Sequence, residues 1–295
     1  MIDIGELHSL TVRVLAEDSV VYESPYLAQH GVSFLLEGSN GSEIRHILVD
    51  VGQNSQALLH NMSLMGVSPS DIDTIVLTHC HYDHTQGVVK MLNQIGRDDV
   101  RIIAHSTIFR PHFITEPCER HVGIQPQDSR EEMEKAGASV LLSNMPYLLM
   151  SGLSTTGEIR RQTDFEEVGI ALKTREDGEV KEDLVRDDTS IVAKIRGKGL
   201  VIITGCSHAG IINILLQAKE LTGCDRIDGI IGGFHLIEAP EARILKTMSE
   251  LAKFKPARIF AGHCTGFRAQ VELFNTFRDE FVPLRTGMQL SFSQY

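Results

Sequence analysis

Short apolar runs alternate along this chain with longer stretches in which apolar residues recur at helical spacing. The short runs predict strands at 9–15, 32–37, 46–51, 74–78, 101–104, 190–195, 200–204, 228–231 and 258–261. The helical spacing predicts helices at 55–65, 87–95, 211–221 and 240–254. This order is typical of sheets whose outer faces are covered by helices, and it predicts one domain spanning residues 1–295.

The pattern weakens between residues 105 and 188, where four prolines interrupt it. We interpret 105–188 as a partly irregular insertion that covers a site, because long excursions in compact domains often do so. Within it, the charged stretch 174–188 contains an Asp-Gly turn signal and is predicted to form a solvated hairpin.

Composition and charge narrow the class of protein. The chain has 28 Lys and Arg against 39 Asp and Glu, a net charge of −11, which argues against nucleic acid as a partner. No apolar run is long enough to span a bilayer, and the first residues do not resemble a signal peptide. Five scattered cysteines disfavour a disulfide framework. These features predict a cytoplasmic protein with neither a nucleic acid nor a membrane as its partner. A small-molecule substrate and a homo-oligomer are further expectations.

The strongest chemical signal is segment 77–87, Leu-Thr-His-Cys-His-Tyr-Asp-His-Thr-Gln-Gly, between a predicted strand and a predicted helix. Residues two apart on an extended strand end point the same way, so His79 and His81 can face one ion together. The turn into the helix directs Asp83 and His84 toward a neighbouring position. The segment therefore predicts two metal ions close together, the second with oxygen and nitrogen ligands.

This His-x-His-x-Asp-His segment resembles the metal-binding signature of the metallo-β-lactamase superfamily. The resemblance implies an α+β fold, an αββα sandwich of two mixed sheets with helices on the outer faces. It also implies two divalent metal ions, Zn²⁺ first, with Mn²⁺, Fe²⁺ or Mg²⁺ as alternatives. By position, His79 and His81 would bind the first ion, and Asp83 and His84 the second. The superfamily's late Gly-His would add His263 as a ligand of the second ion.

Segment 205–210, Gly-Cys-Ser-His-Ala-Gly, departs from the superfamily pattern. Many relatives have a Gly-Asp at this strand end, and the Asp bridges the two metals. Here Cys206 stands at that position, with His208 two residues later. We favour His208 as a ligand of the first ion. Cys206 stays open as a thiolate ligand, which would favour zinc, as a substrate contact, or as a buried structural cysteine.

Two further positions are candidates for substrate contacts or catalysis. His235 ends the segment Gly-Gly-Phe-His, whose glycines would let a substrate approach the backbone; it could be a ligand, an acid, a substrate contact or a core histidine. Arg160, with Arg161, could bind an anionic substrate, although surface arginines are common. Asp187 and Asp188 are ambiguous between hairpin polarity and a site.

Segments 30–33, 156–159, 187–188, 204–211 and 232–235 together resemble one branch of the superfamily, the 7,8-dihydropterin-6-methyl-4-(β-D-ribofuranosyl)aminobenzene-5'-phosphate synthases. The function we expect is hydrolysis of a phosphorylated or ester-type small molecule by metal-activated hydroxide. Asp83 would orient the water and His235 would protonate the leaving group. The alternative is a transferase that condenses a dihydropterin-methyl diphosphate with an arylamine ribosyl phosphate. Flavodiiron-type redox chemistry and metal-stabilised binding without turnover are less favoured, because the chain retains all four motif ligands.

Overall fold

The computed structural model describes residues 2–168 and 171–294, and this part of the chain contains eighteen strands. The strands in chain order are β1 (Ser9–Ala16), β2 (Ser33–Ser39), β3 (Ile44–Val49), β4 (Thr74–Val76), β5 (Arg101–Ala104), β6 (His112–Ile114), β7 (Arg120–His121), β8 (Ser139–Leu142), β9 (Leu148–Met150), β10 (Leu153–Thr155), β11 (Leu172–Glu176), β12 (Glu179–Glu182), β13 (Ser190–Ile195), β14 (Gly199–Thr204), β15 (Ile227–Gly233), β16 (Ile259–Gly262), β17 (Phe281–Pro283) and β18 (Gln289–Ser293).

Seven α-helices lie in the same described ranges. They are α1 (Ser55–Leu64), α2 (Tyr82–Thr85), α3 (Val88–Ile95), α4 (Arg130–Lys135), α5 (Ile211–Thr222), α6 (Glu241–Phe254) and α7 (Phe267–Phe277). The Asn54 side chain caps α1 by accepting hydrogen bonds from two backbone amides of the first turn. Within these ranges, no helix combines the length and the apolar character that a membrane span requires.

Two seven-stranded mixed sheets carry most of the fold. In the first, the order is β18-β1-β2-β3-β4-β5-β8, and the neighbours from β3 to β8 run parallel. In the second, the order is β17-β16-β15-β14-β13-β10-β9, and the neighbours from β14 to β17 run parallel. A third, small antiparallel sheet has the order β12-β11-β6-β7.

Alternating side chains divide the apolar residues into three clusters. On β14, Val201 and Ile203 face the other sheet and pack in one cluster with Phe34 of β2. The residues between them, such as Ile202, pack against α5, α6 and α7 on the outer face. Leu35 of β2 faces outward toward α1 and α3 on the opposite side. The secondary structure is therefore stacked in four layers, in the order helices, sheet, sheet, helices. This confirms the expected αββα sandwich.

All the predicted strands and helices are present, with ends shifted by a few residues. The pattern predicts no element after residue 261, where the structure has α7, β17 and β18. β18 pairs with β1 and forms the outer strand of the first sheet. Its five residues alternate between buried and exposed, a signal too short to separate from a loop.

The insertion 105–188 is more regular than its sequence pattern indicates. β8 joins the first sheet, β9 and β10 join the second, and the remaining four strands form the third sheet. The predicted hairpin is β11–β12, and β12 is exposed along its whole length. The three aspartates that follow, Asp183, Asp187 and Asp188, are buried, so this end of the stretch is not solvated. The assignments of a single domain and of a covering role for 105–188 stay predictions.

Truncation of a side chain in the layer between the two sheets should cause the largest loss of stability. Phe34 is fully buried there, so Phe34→Ala should lower the free energy of unfolding by about 3–5 kcal/mol. Urea unfolding of the purified variant measures this loss. Ile44→Ala is the control, because Ile44 is 59% exposed and its truncation should cost less than about 0.5 kcal/mol. Equal losses in the two variants would contradict the layer assignment.

Candidate metal centre

The polar residues of the predicted site follow the carboxyl ends of strands. β4 leads into His79, β14 into Cys206, β15 into His235 and β16 into His263. β14, β15 and β16 are parallel neighbours, so the residues that follow them meet at one edge of the second sheet. The residues after β4 reach the same place from the facing sheet.

Three histidines form the first donor group. His79 Nε2 lies 3.0 Å from His81 Nδ1, and His208 Nε2 lies 3.1 Å from the same His81 nitrogen. All three rings are buried. The outer nitrogen of His79, Nδ1, lies 3.1 Å from Thr78 Oγ1, which leaves Nε2 directed at the other two histidines. The structure thus brings together the three residues predicted to bind the first ion.

The second donor group contains Asp83, His84 and His263. Asp83 Oδ2 lies 3.5 Å from His84 Nε2 and 3.3 Å from His263 Nε2. The outer nitrogens contact carboxylates, because His84 Nδ1 lies 2.7 Å from Asp50 Oδ2 and His263 Nδ1 lies 2.9 Å from Asp18 Oδ2. A carboxylate at Nδ1 holds the hydrogen there and leaves Nε2 free to bind a cation.

Cys206 lies between the two groups. Its Sγ is 3.1 Å from His84 Nε2. The same sulfur is within 4.8 Å of the ring nitrogens of His79 and His208 on one side, and of His84 and His263 on the other. Of the roles left open for Cys206, this position fits a donor shared by both groups. His235 and Cys264 adjoin the same sulfur, again within 4.8 Å.

Two glycines make this packing sterically feasible. A Cβ on Gly205 would lie 2.3 Å from Thr78 Oγ1, and a Cβ on Gly233 would lie 2.5 Å from Cys264 Sγ. Real Cβ atoms do not approach so closely, so neither position accepts a larger residue without displacing a site residue. Local packing therefore explains why glycine stands at 205, directly before Cys206, and at 233, two residues before His235.

Four non-glycine residues around the site have left-handed backbone conformations. Their φ angles are 56° at Asp50, 62° at Ser207, 47° at His235 and 48° at His263. Such conformations cost of order 1–3 kcal/mol each and persist only where surrounding contacts hold them. Asp50 shows such contacts, since it accepts hydrogen bonds from the backbone N and the hydroxyl of Thr78 at 2.8 and 2.7 Å.

The electrostatics of the first group favour neutral rings. Burial, followed by the charges of neighbouring histidines, lowers the pKa of His79, His81 and His208 well below the usual range. A neutral imidazole is the form that binds a metal ion. The three rings therefore present unprotonated donors without an energetic cost for removing a proton at neutral pH.

The second group is charged. Burial opposes ionisation of Asp83, but His84 and His263 outweigh it and hold the pKa of this carboxyl well below its usual range. Burial likewise opposes protonation of His84, but Asp83 and Asp50 raise its pKa to about 9. A bound cation would take the place of that proton beside Asp83. Nitrogen, carboxylate and sulfur donors in two adjacent groups fit a pair of divalent cations such as Zn²⁺.

Arg160 is not brought to these donor groups. Its guanidinium is exposed and paired with Glu220, beside a cavity of about 920 Å³ along α5. Arg161 is closer, because its Nη1 donates to the backbone carbonyl of His208 at 3.2 Å. Arg160 as a substrate contact and His235 as a catalytic group stay predictions.

Several residues around the site were given no role from the sequence, namely Asp18, Asp50, His112, Asp183 and His30, the last of which lies in the segment 30–33 quoted for the resemblance. Asp50 had a usable signal, since it ends an apolar strand as the other site residues do. His30 Nε2 lies 3.4 Å from Asp83 Oδ2, and its side chain is 52% exposed, so it lies on the solvent side of the centre. His112 lies in the segment without periodicity, where no pattern identifies it.

Two sheets between helices, with possible metal-donor groups at the strand ends, define an αββα scaffold of the metallo-β-lactamase type. The family model of the metallo-β-lactamase superfamily matches residues 29–263, and the chain belongs to this superfamily.

Individual relatives extend the match to the full length. A 7,8-dihydropterin-6-methyl-4-(β-D-ribofuranosyl)-aminobenzene-5'-phosphate synthase of Methanocaldococcus jannaschii is 36% identical over 99% of this chain and 100% of its own. An uncharacterised protein of the same archaeon is 33% identical over 87% of this chain and 91% of its own. Among solved structures, a metal-dependent hydrolase of the β-lactamase superfamily superposes with a TM-score of 0.80 over 97% of this chain and 100% of its own, at 24% identity. That structure supports the fold alone.

Asp188 generates a pH-dependent prediction. Burial raises the pKa of this carboxyl to about 7. Its Oδ2 accepts a hydrogen bond from the backbone N of Ala209 at 2.7 Å. Its Oδ1 has no hydrogen-bond partner among the described residues. The folded chain therefore retains a proton that the unfolded chain releases near its ordinary value of 3.8, and stability falls as pH rises between the two values. Asp188→Asn removes this loss.

In metal-free protein, Asp188→Asn should be more stable than wild type by on the order of 2–4 kcal/mol at about pH 8, with no such gain at about pH 4. Urea unfolding at both pH values measures the difference. Asp225→Asn, at an exposed aspartate on the surface, is the control and should show no pH-dependent gain. A gain for Asp188→Asn that is equal at both pH values would contradict the buried, protonated carboxyl.

Proposed function

We propose that this chain is a two-metal enzyme in which His79, His81 and His208 hold one ion and Asp83, His84 and His263 hold the other. Cys206 is the donor common to both, which places a thiolate where many relatives have a bridging Asp. Support comes from the two donor groups meeting at one sulfur. A thiolate favours Zn²⁺ or Fe²⁺ over the harder Mg²⁺.

The reaction favoured is the condensation of a dihydropterin-methyl diphosphate with an arylamine ribosyl phosphate. The observation that carries this choice is the 36% identity to a synthase over the full length of both chains. This reverses the order of the two activities expected from the sequence. The similarity in fold to a hydrolase, at 24% identity, does not weigh against it.

The condensation requires one bond to form and one to break. The arylamine nitrogen attacks the pterin methylene carbon, the carbon–oxygen bond to diphosphate breaks, and the nitrogen releases a proton. His235 is the candidate acceptor, because its Nδ1 has no hydrogen-bond partner among the described residues and its ring centroid lies 4.0 Å from that of His208. When bound, divalent ions supply positive charge that stabilises a leaving diphosphate.

Hydrolysis of a phosphorylated or ester-type molecule is the second candidate. It uses the same donors, and the half-exposed His30 beside Asp83 shows where solvent reaches the centre. The two reactions differ in whether water or an amine attacks. Asp83 would orient the attacking water in the hydrolytic case.

Substrate assays on metal-loaded protein separate the two reactions. With dihydropterin-methyl diphosphate and arylamine ribosyl phosphate, we expect the coupled product and one diphosphate per product, detected by mass spectrometry. Panels of phosphomonoesters, phosphodiesters and lactones should show little turnover. Hydrolysis of a panel member without coupling would replace the first candidate by the second.

His81→Ala and Asp83→Ala should each reduce turnover at least about 100-fold and lower the bound metal, because each removes a proposed ligand. Elemental analysis measures metal per chain. His46→Ala is the control, since His46 lies on β3 beside Glu37 and away from both donor groups. Full metal content in both ligand variants would overturn the proposed centre.

Cys206→Ser tests the shared sulfur by a spectroscopic readout. Protein loaded with Co²⁺ should show a thiolate-to-cobalt charge-transfer band in the near ultraviolet, and Cys206→Ser should lose it. Cys118→Ser removes an exposed thiol and should keep the band. A band that persists in Cys206→Ser would assign the sulfur ligand to another cysteine.

A further inference from the structure

The third sheet contributes a buried histidine to the back of the first donor group. His112, the first residue of β6, has no exposed surface, and its Nε2 lies 2.6 Å from His81 Nε2. Its other nitrogen, Nδ1, lies 2.6 Å from Asp183 Oδ2. The first contact involves Nε2 of His81, whereas Nδ1 of the same ring faces His79 and His208. The third sheet therefore reaches the first donor group through the side chain of His112.

The hydrogen positions along this chain of contacts follow from donor and acceptor counts. Asp183 is ionised, because His112 and Arg110 together outweigh the effect of burial and lower the pKa of this carboxyl. A carboxylate only accepts, so His112 Nδ1 carries the hydrogen. A neutral His112 has only this one N–H, so its Nε2 then accepts. His81 Nε2 is then the donor.

This count determines which nitrogen of His81 is available. With its single hydrogen on Nε2, His81 has a lone pair on Nδ1. Nδ1 is the atom that lies 3.0 Å from His79 Nε2 and 3.1 Å from His208 Nε2. The opposite tautomer would leave two lone pairs facing each other across 2.6 Å at His112.

Arg110 connects this contact to the backbone of the motif. Its Nε and Nη2 donate to the two oxygens of Asp183 at 2.6 and 2.9 Å, a bidentate pair. Its Nη1 lies 2.7 Å from Asp187 Oδ1, and Asp187 Oδ2 accepts from Cys80 N at 2.7 Å. Cys80 is the residue between the two motif histidines. One guanidinium thus stabilises both the ring of His81 and the main chain beside it.

We propose that His112 is a positioning residue. By accepting a hydrogen bond from His81 Nε2, His112 selects the tautomer in which His81 presents Nδ1 to the metal centre. The third sheet holds His112 in this position. This inference rests on the proposed ligand role of His81. It gives residues 105–188 a supporting role behind the ligands, in addition to any covering role.

The test compares metal affinity in His112→Leu and His112→Gln. Leucine neither accepts nor donates, so the affinity for Zn²⁺ in competition with a chromophoric chelator should fall by about 10–100-fold. The amide of glutamine can accept from His81 and donate to Asp183, so His112→Gln should stay within about threefold of wild type. His121→Leu is the matched control, because His121 is exposed on the neighbouring strand β7 of the same sheet.

A second readout addresses the tautomer directly. In two-bond proton–nitrogen spectra of metal-free protein labelled with ¹⁵N-histidine, wild type should show His81 protonated on Nε2 only, and His112→Leu should lose that pattern. Unfolding of the metal-free variants by urea separates a loss of positioning from a loss of folding. Wild-type affinity in a folded His112→Leu would overturn the inference, as would an equal fall in His121→Leu. Wild-type protein that binds no metal would instead overturn the proposed function.

Discussion

The organisation of this molecule depends on the burial of many ionisable side chains at one edge of the sandwich. Such groups are costly to remove from water unless each has a partner. Here the outer nitrogens of four proposed ligand histidines are partnered in turn by Thr78, by Asp50, by Asp18 and by His112. Nδ1 of the fifth, His208, has no hydrogen-bond partner among the described residues. Three of the partners follow strands of the first large sheet, and His112 lies on β6 of the third sheet. The fold brings them together, and their hydrogen bonds orient the four rings that they contact.

The fold was largely predictable because its core strands are short, continuous apolar runs. β14 is buried along its whole length, and such a strand needs layers on both of its faces. The motif at 77–87 was equally visible, since local spacing places His79 and His81 on one side of the chain. The sequence favoured His208 as a ligand but left the role of Cys206 open, because that role depends on how the second sheet faces the first. His112 had no local signal; its role arises only from the pairing of β6 with β11, across a gap of about sixty residues.

The proposed exchange of the usual bridging carboxylate for Cys206 is the feature that would most separate this site from a common superfamily site. A thiolate sulfur is a larger and softer donor atom than a carboxylate oxygen, and a thiolate has one donor atom instead of two. Gly205 and Gly233 provide the room that this packing and the adjoining Cys264 need. Burial alone would raise the pKa of Cys264, yet the Cys206 hydrogen bond and the charge of His263 lower it well below its usual range. This end of the centre therefore places a second thiol beside the proposed soft donor, whose own pKa is raised well above its usual range by burial.

The strained backbone at the site gives the last link between fold and function. Asp50, Ser207, His235 and His263 each hold a left-handed conformation, and together these conformations cost several kcal/mol by the usual scale. A chain under no functional constraint would replace such residues by glycine or relax the turns. The strained conformations persist because these turns direct polar side chains toward the site, which relaxed turns would not do. Binding of the proposed cations would return part of this free energy to the folded state, since the unfolded chain has no such arrangement of donors. Backbone strain and the proposed affinity for cations are therefore two consequences of the same geometry.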